Sequence, residues 1–427
     1  MSSTINMTSL GNERKKEWIK SKLKYIAFLQ TGNSISAAEK DGKYSQRLSG
    51  YYPYIATKDI DVFNGEMDYD NGLYIPLDTD FKVAKKNTVL LCIEGGSAGK
   101  KIGYLNQDVC YVNKLCNFEA FPNINGKFLY YSLQSYFFTE QFKLNISGII
   151  PGVSIEKLKN ISIMYPSLEE QQKIVKYLDE KITQIDTIKQ KTKVSIEELK
   201  TYKKSLISEV VTRGLNKKIN LIESGIDSIP SFPEHWSFIK LKYLLGERKD
   251  KSIEGLEEPL SMSQKYGLVK TKDLDIPNPP SSNVGSRLVK VGDLVFNKLK
   301  AHLGVFSVSK YEGLVSPDYA VYYALNSENI NVKYLEYLFK TPYYISEFTK
   351  YSRGIVVGLT RLYTDDFFNI KCSIPPFHEQ NNIVVYLDNK INMIDKLIFQ
   401  KEQFIIEMDE YKKSLIYEYV TGEKEVM

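Results

Sequence analysis

Histidine is scarce in this chain, three residues in 427, and cysteine is nearly as rare, with four and no CxxC pair among them. His235, His302 and His378 lie far apart, so neither a structural zinc site nor histidine-based general base chemistry is expected, and no metal is assigned to the chain. Cys92, Cys110, Cys116 and Cys372 read as reduced thiols. Long apolar runs are missing as well. Runs such as 89–93 have about five residues, where a membrane-spanning helix needs ~20. Residues 1–16 are polar and then basic, without the apolar stretch of a secretory signal, so a cytoplasmic protein is expected. What remains is ordinary globular composition, 43% hydrophobic and 26% charged, in a chain long enough for two or three domains.

The chain is built on an internal repeat. Residues 166–212 align without a gap to 375–421, and 23 of the 47 positions are identical, including Glu170/Glu379, Gln171/Gln380, Tyr177/Tyr386 and Asp179/Asp388. The copies open on Pro166 and on Pro375-Pro376 and contain no proline afterwards. Mostly apolar positions recur in strict alternation of three and four: Val175, Leu178, Ile182, Ile185, Lys189, Thr192, Ile196, Leu199, Lys203, Leu206 and Val210 in the first copy. The second copy gives Val384, Leu387, Ile391, Ile394, Ile398, Lys401, Ile405, Met408, Lys412, Leu415 and Tyr419. This heptad seam calls for a partner helix, and two such helices in one chain pair most simply with each other, antiparallel. Glu169, Glu170 and Glu379 suit a helix start, and Gly214 and Gly422 suit its end.

A second, shorter repeat opens each half: Trp18 then Leu23-Lys24-Tyr25, and Trp236 then Leu241-Lys242-Tyr243. About 140 residues separate motif from helix in each half, and these do not align. The organisation expected is an N-terminal tail (1–17), a first variable domain (18–165), a helix (166–215), an exposed linker (216–235), a second variable domain (236–374), a second helix (375–422) and a C-terminal tail (423–427). The variable domains read as mixed α/β. Short strands are expected at 88–93, 109–112, 294–297 and 321–325, and helices at 128–138 and 332–339.

Several stretches imitate catalytic motifs and fail them. The loop Gly95-Gly96-Ser97-Ala98-Gly99-Lys100-Lys101 lacks one residue between its glycines and the hydroxyl after the lysine that a phosphate loop needs. In Asn278-Pro279-Pro280, Ser281 stands where an aromatic would stack on a flipped base, and no glycine-rich cofactor loop precedes it. No catalytic residue and no cofactor of its own are assigned.

Net charge is +5, and the excess of lysine and arginine lies outside the two helical segments. There, basic residues mingle with tyrosines and amides: Lys43, Tyr44, Gln46, Arg47, Tyr51, Tyr52, Tyr54 and Lys58 in the first half, and Arg287, Asn297, Lys298, Lys300, His302, Arg353 and Arg361 in the second. Lysine and arginine neutralise phosphates, and arginine and amides can pair with base edges. A solvated surface is the plain alternative for any one of them.

With these residues in view, the chain resembles the specificity subunits of Type I restriction-modification systems. The resemblance rests on Pro-Ser-Leu-Glu-Glu-Gln-Gln-Lys-Ile-Val from Pro166, echoed by Pro-Pro-Phe-His-Glu-Gln-Asn-Asn-Ile-Val from Pro375. It also rests on Thr212-Arg213-Gly214-Leu215-Asn216, Ser224-Gly225-Ile226, Ile229-Pro230, Pro233-Glu234-His235-Trp236 and Leu241-Lys242-Tyr243, and it extends over 18–422. The departures are small: His378 stands opposite Glu169, and the first half keeps only Trp18 of the Pro-Glu-His-Trp motif.

The resemblance implies a non-catalytic protein that binds double-stranded DNA. Two target recognition domains would each read half of a split asymmetric site, joined by an antiparallel coiled coil with pseudo-two-fold symmetry that sets the spacer. It further implies two methyltransferase subunits, using S-adenosylmethionine to methylate adenine at N6, and two restriction subunits, using ATP and Mg2+. Ser97, Lys100 and Lys101 in the first half, and the loop 297–302 in the second, are the family-like loops expected to face DNA. Three rival readings stay open: a recognition subunit of a fused methyltransferase-nuclease system, a coiled-coil scaffold with no DNA role, and a self-contained methyltransferase or nuclease, which would need a cofactor loop absent here.

Overall fold

Two runs of unbroken three-and-four spacing, each preceded by proline and followed by glycine, form the longest elements of the chain. The structure is a computed structural model that describes residues 3–4, 18–42, 44–45, 50–62, 64–78, 80–264, 266–274, 283–356 and 359–426. The first long helix spans Leu168–Arg213 and the second Phe377–Val420, 46 and 44 residues. At 1.5 Å per residue each is about 65–70 Å long. Both end on a glycine in the left-handed conformation, Gly214 at φ 76° and Gly422 at φ 79°, where a side chain would be strained.

The chain divides into two units. Unit 1 comprises 1–192 and 403–427, and unit 2 comprises 193–402. The division cuts both long helices near their middles, so each unit holds the front of one helix and the back of the other. The helices are therefore shared between the units, whereas the sequence reading set 166–215 and 375–422 apart as segments of their own.

Within unit 1 the seam residues Leu178, Ile185, Leu415 and Tyr419 are buried, and Ile182 and Met408 are half-buried against the same core. Within unit 2, Ile196, Leu206, Val210, Val384, Leu387 and Ile394 are buried, with Leu199, Ile391 and Ile398 packed beside them. Tyr177 meets Tyr419 at 4.6 Å between ring centroids. Cross-helix ion pairs in unit 1 join Lys412 to Asp186 and Lys189 to Asp409, one helix ascending as the other descends, which fixes an antiparallel sense.

The variable stretches, which do not align in sequence, share one topology. Unit 1 carries an antiparallel sheet in the order Ala27–Thr31, Leu115–Ala120, Val89–Cys92, Ile102–Tyr104. Unit 2 repeats that order with Leu245–Glu247, Tyr319–Ala324, Leu294–Asn297 and Phe306–Val308. The central strand of each, Val89–Cys92 and Leu294–Asn297, is the most apolar and is almost wholly buried. Two helices follow each sheet, Gly126–Gln134 and Tyr136–Leu144 in unit 1, Val332–Phe339 and Pro342–Tyr351 in unit 2.

Two expectations change. The single helix read at 128–138 is two helices, broken at Ser135, which takes extended dihedrals and caps the second with its hydroxyl. The linker 216–235 is not a bare connector. Leu221–Ile226 and Ile229–Pro233 pair as a hairpin that buries Ile229 and Phe232, because alternating apolar residues flank a tight turn.

Candidate nucleic-acid interface

Each unit attaches its sheet to the helices by the same contacts. In unit 1 the Gln171 side chain donates to the carbonyls of Pro166 (3.0 Å) and Asn123 (3.2 Å) and accepts from the Asn125 amide (2.8 Å). In unit 2 Gln380 donates to Pro375 (2.9 Å) and Asn329 (3.0 Å) and accepts from Asn331 (2.8 Å). Both glutamines are fully buried, so each must satisfy its amide internally, and each does so across the joint between domain and helix. A second joint is Tyr131 donating to Asp179, matched by Tyr337 donating to Asp388. Burial and the neighbouring carboxylate push both phenols far above the usual tyrosine range. A third joint places Trp18 against Gly422 and Trp236 against Gly214, where an added Cβ would meet the Trp18 indole at 2.5 Å and the Trp236 indole at 3.3 Å. The repeat made Gln171, Asp179 and their counterparts visible in the sequence. Their partners Tyr131 and Tyr337 lie in the stretch that does not align, and sequence reasoning missed them.

Past this common frame the units differ. In unit 1 the glycine-rich segment following Val89–Cys92 is a tight turn: the Gly99 amide donates to Cys92 O and the Gly95 amide to Pro151 O, both 2.8 Å. Gly99 sits at φ 73° with the Phe142 ring 2.8 Å from where a Cβ would be. Gly99 thus serves the turn and its packing against Phe142. Lys100 is exposed and Ser97 half-buried, while the Lys101 ammonium donates to Thr57 O at 2.8 Å. Lys58 is exposed and Tyr51 half-buried. Beside this turn, Ile149 and Ile150 stand exposed on the neighbouring loop. Lys43, Gln46, Arg47 and Asn278-Pro279-Pro280 lie outside the described residues.

In unit 2 the strand Leu294–Asn297 runs into a short helical turn, Lys298–Leu303, which Asn297 caps by accepting from the Leu299 amide at 2.9 Å. Lys300 and His302 project from it, exposed. Lys298 turns inward and is 7% exposed. Around it the fold gathers two other cations named from distant parts of the sequence. Arg287 is held by Glu247 at 2.8 Å, and Arg361 by Asp318 at 3.1 Å. Burial, then Arg287, then Arg361 push the Lys298 ammonium down to about 8, against the smaller opposing pull of Glu247 and Asp318. Arg353 lies outside this group, exposed and paired with Asp366. The basic residues read from unit 2 thus sort into a recessed trio, buried Lys298 with half-buried Arg287 and Arg361, and an exposed set, Lys300, His302 and Arg353.

Burial raises the thiols of Cys110 and Cys116 to about 12, and all four cysteines are free and buried. No cluster of potential metal ligands occurs among the described residues. No helix among them is long and apolar enough to cross a membrane.

Residues 15–198 match the Type I restriction modification DNA specificity domain family. The chain is 25% identical over 397 residues to the Type I restriction enzyme MjaVIII specificity subunit of Methanocaldococcus jannaschii, covering 88% of this chain and 87% of that one. It is 21% identical over 398 residues to the Type I restriction enzyme EcoKI specificity subunit of Escherichia coli K12, covering 87% and 82%. Among solved structures, a chain from the assembly and conformational transition of the type I R-M system superposes with a TM-score of 0.70 at 16% identity, covering 95% of this chain and 98% of that one. The HsdS subunit from Thermoanaerobacter tengcongensis superposes at 0.56 with 18% identity, covering 95% and 97%. These two share the fold.

Proposed function

The chain belongs to the specificity-subunit family of Type I restriction-modification systems, a DNA-recognition component that is not itself the catalyst, and from that membership we propose that its two units each read one half of a split, asymmetric DNA site. The two long helices set the spacer between the half-sites. The duplicated frame docks two copies of one methyltransferase subunit, which brings S-adenosylmethionine and methylates one adenine in each half. With two restriction subunits the assembly cleaves DNA, using ATP and Mg2+. It works in the cytoplasm, where the chromosome is accessible.

The observation that carries this reading is the combination of a repeated frame with unlike loops. Gln171 and Gln380, and Tyr131 and Tyr337, hold the two sheets to the helices in the same way. The loops after the central strands, by contrast, present a glycine turn with Lys100 in one unit and a cationic cluster in the other. A shared frame suits two copies of one partner, and unlike loops suit two unlike half-sites.

Co-expression with a cognate methyltransferase subunit in a methylation-free host, followed by single-molecule sequencing for N6-methyladenine, tests the proposal. A split motif of fixed spacer that requires both proteins is the expected result. Methylation that ignores this chain, or none despite a stable complex, contradicts it.

A further inference from the structure

Lys298 and Ile93 occupy the same place in their units. The Ile93 amide donates to Lys114 O at 2.9 Å and its carbonyl accepts from the Val153 amide at 2.9 Å. The Lys298 amide donates to Asp318 O at 3.1 Å and its carbonyl accepts from the Leu362 amide at 3.0 Å. Each is the residue that follows the central strand, and each is 7% exposed. Isoleucine satisfies this position in unit 1, so the fold itself does not call for a charge there.

Unit 2 nevertheless places a lysine there, its ammonium recessed near two guanidinium groups that repel it. Among the described residues Lys298 Nζ has no hydrogen-bond or ion-pair partner. The Nε of Arg287 and the Nε of Arg361 are buried without one. Glu247 and Asp318 supply two negative charges against three positive, which leaves the cluster one short. A partly desolvated cation without a partner is costly, and a ligand carrying a single negative charge balances it.

The shape of the site selects among DNA groups. Base edges lie at the floor of a groove and are met by side chains that protrude, as Lys300 and His302 do. Lys298 is recessed, and the guanidinium forks of Arg287 and Arg361 are already engaged by carboxylates. A recessed ammonium is reached by a group that itself projects from the duplex, and in DNA that group is the phosphate. We propose that Lys298, flanked by Arg287 and Arg361, seats one backbone phosphate of the DNA bound by unit 2, fixing the register in which Lys300 and His302 meet the bases. This rests on the DNA-recognition reading above.

The test compares the complex of full chain and methyltransferase subunit carrying wild-type, Lys298→Met or Lys298→Ile chain, Ile being the residue unit 1 has. Both variants fold, shown by melting temperatures no lower than wild type. Each binds target DNA roughly tenfold more weakly and lowers the slope of log affinity against log salt by about 1, while the methylated sequence stays the same. Affinity and slope equal to wild type overturn the phosphate seat. A changed base in the methylated motif overturns it in favour of base reading by Lys298. A wild-type complex with no preference for a split site overturns the function itself, and is recognised without any variant.

Discussion

Asp186 on the first long helix accepts from the Lys412 ammonium of the second at 2.9 Å, and in the other unit their repeat counterparts pair likewise, Asp395 accepting from Lys203 at 2.6 Å. Lys203 and Lys412 are seam positions, where an apolar residue would add more stability. A charge there fixes register and direction, because any slip strands a half-buried ammonium.

Lys412→Asp therefore places two carboxylates together and lowers stability by about 2 kcal/mol, and adding Asp186→Lys recovers most of it. Denaturant unfolding of the full chain followed by circular dichroism measures both changes. Equal stability of the single variant and wild type contradicts a role in register.

Tyr131→Phe and Tyr337→Phe each remove one hydrogen bond between domain and helix, to Asp179 and Asp388. Each costs about 1 kcal/mol, equally in the two units, with the methylated sequence unchanged. A large loss from one and none from the other shows that the joints are not equivalent.

Lys298 gives the protein a pH signature. Its folded value, about 8, lies below the ordinary lysine value, so between pH 8 and ~10.4 the unfolded chain binds the extra proton. Stability relative to Lys298→Met accordingly rises with pH across that window, and below it the burial penalty is fully present. DNA affinity runs the other way, falling above pH 8 as the ammonium is lost. The facing groups Arg287, Arg361, Glu247 and Asp318 are common to both proteins, so the difference between them isolates Lys298. Parallel pH profiles contradict this assignment.

One heptad inserted in each long helix, between 192 and 193 and between 402 and 403, preserves the seam and adds about 10 Å. The spacer of the methylated motif lengthens by about three base pairs. An unchanged spacer shows that the helices do not set it.

The helices were legible because a heptad pattern is a property of spacing, and the duplication printed it twice. The sheets were legible only in pieces. The strands at 294–297 and 88–93 were read from their apolar runs, but Leu294–Asn297 and Val89–Cys92 share little more than hydrophobicity, which is all a buried strand requires. Loop lengths differ too, so the separation between equivalents changes along the chain and a gapless comparison passes over Ile93 and Lys298. Arg287, Lys298 and Arg361 were each named from charge and composition. Their convergence was not legible, since it depends on strand order, and neither was the inward turn of Lys298, which belongs to the position and is shared by Ile93.

The most direct test of two independent readers is to replace residues 96–101, the turn after the central strand of unit 1, with the corresponding turn of another specificity subunit and to map N6-methyladenine again. The account predicts a motif altered in one half, with the other half and the spacer retained. A motif altered in both halves, or in neither, contradicts it.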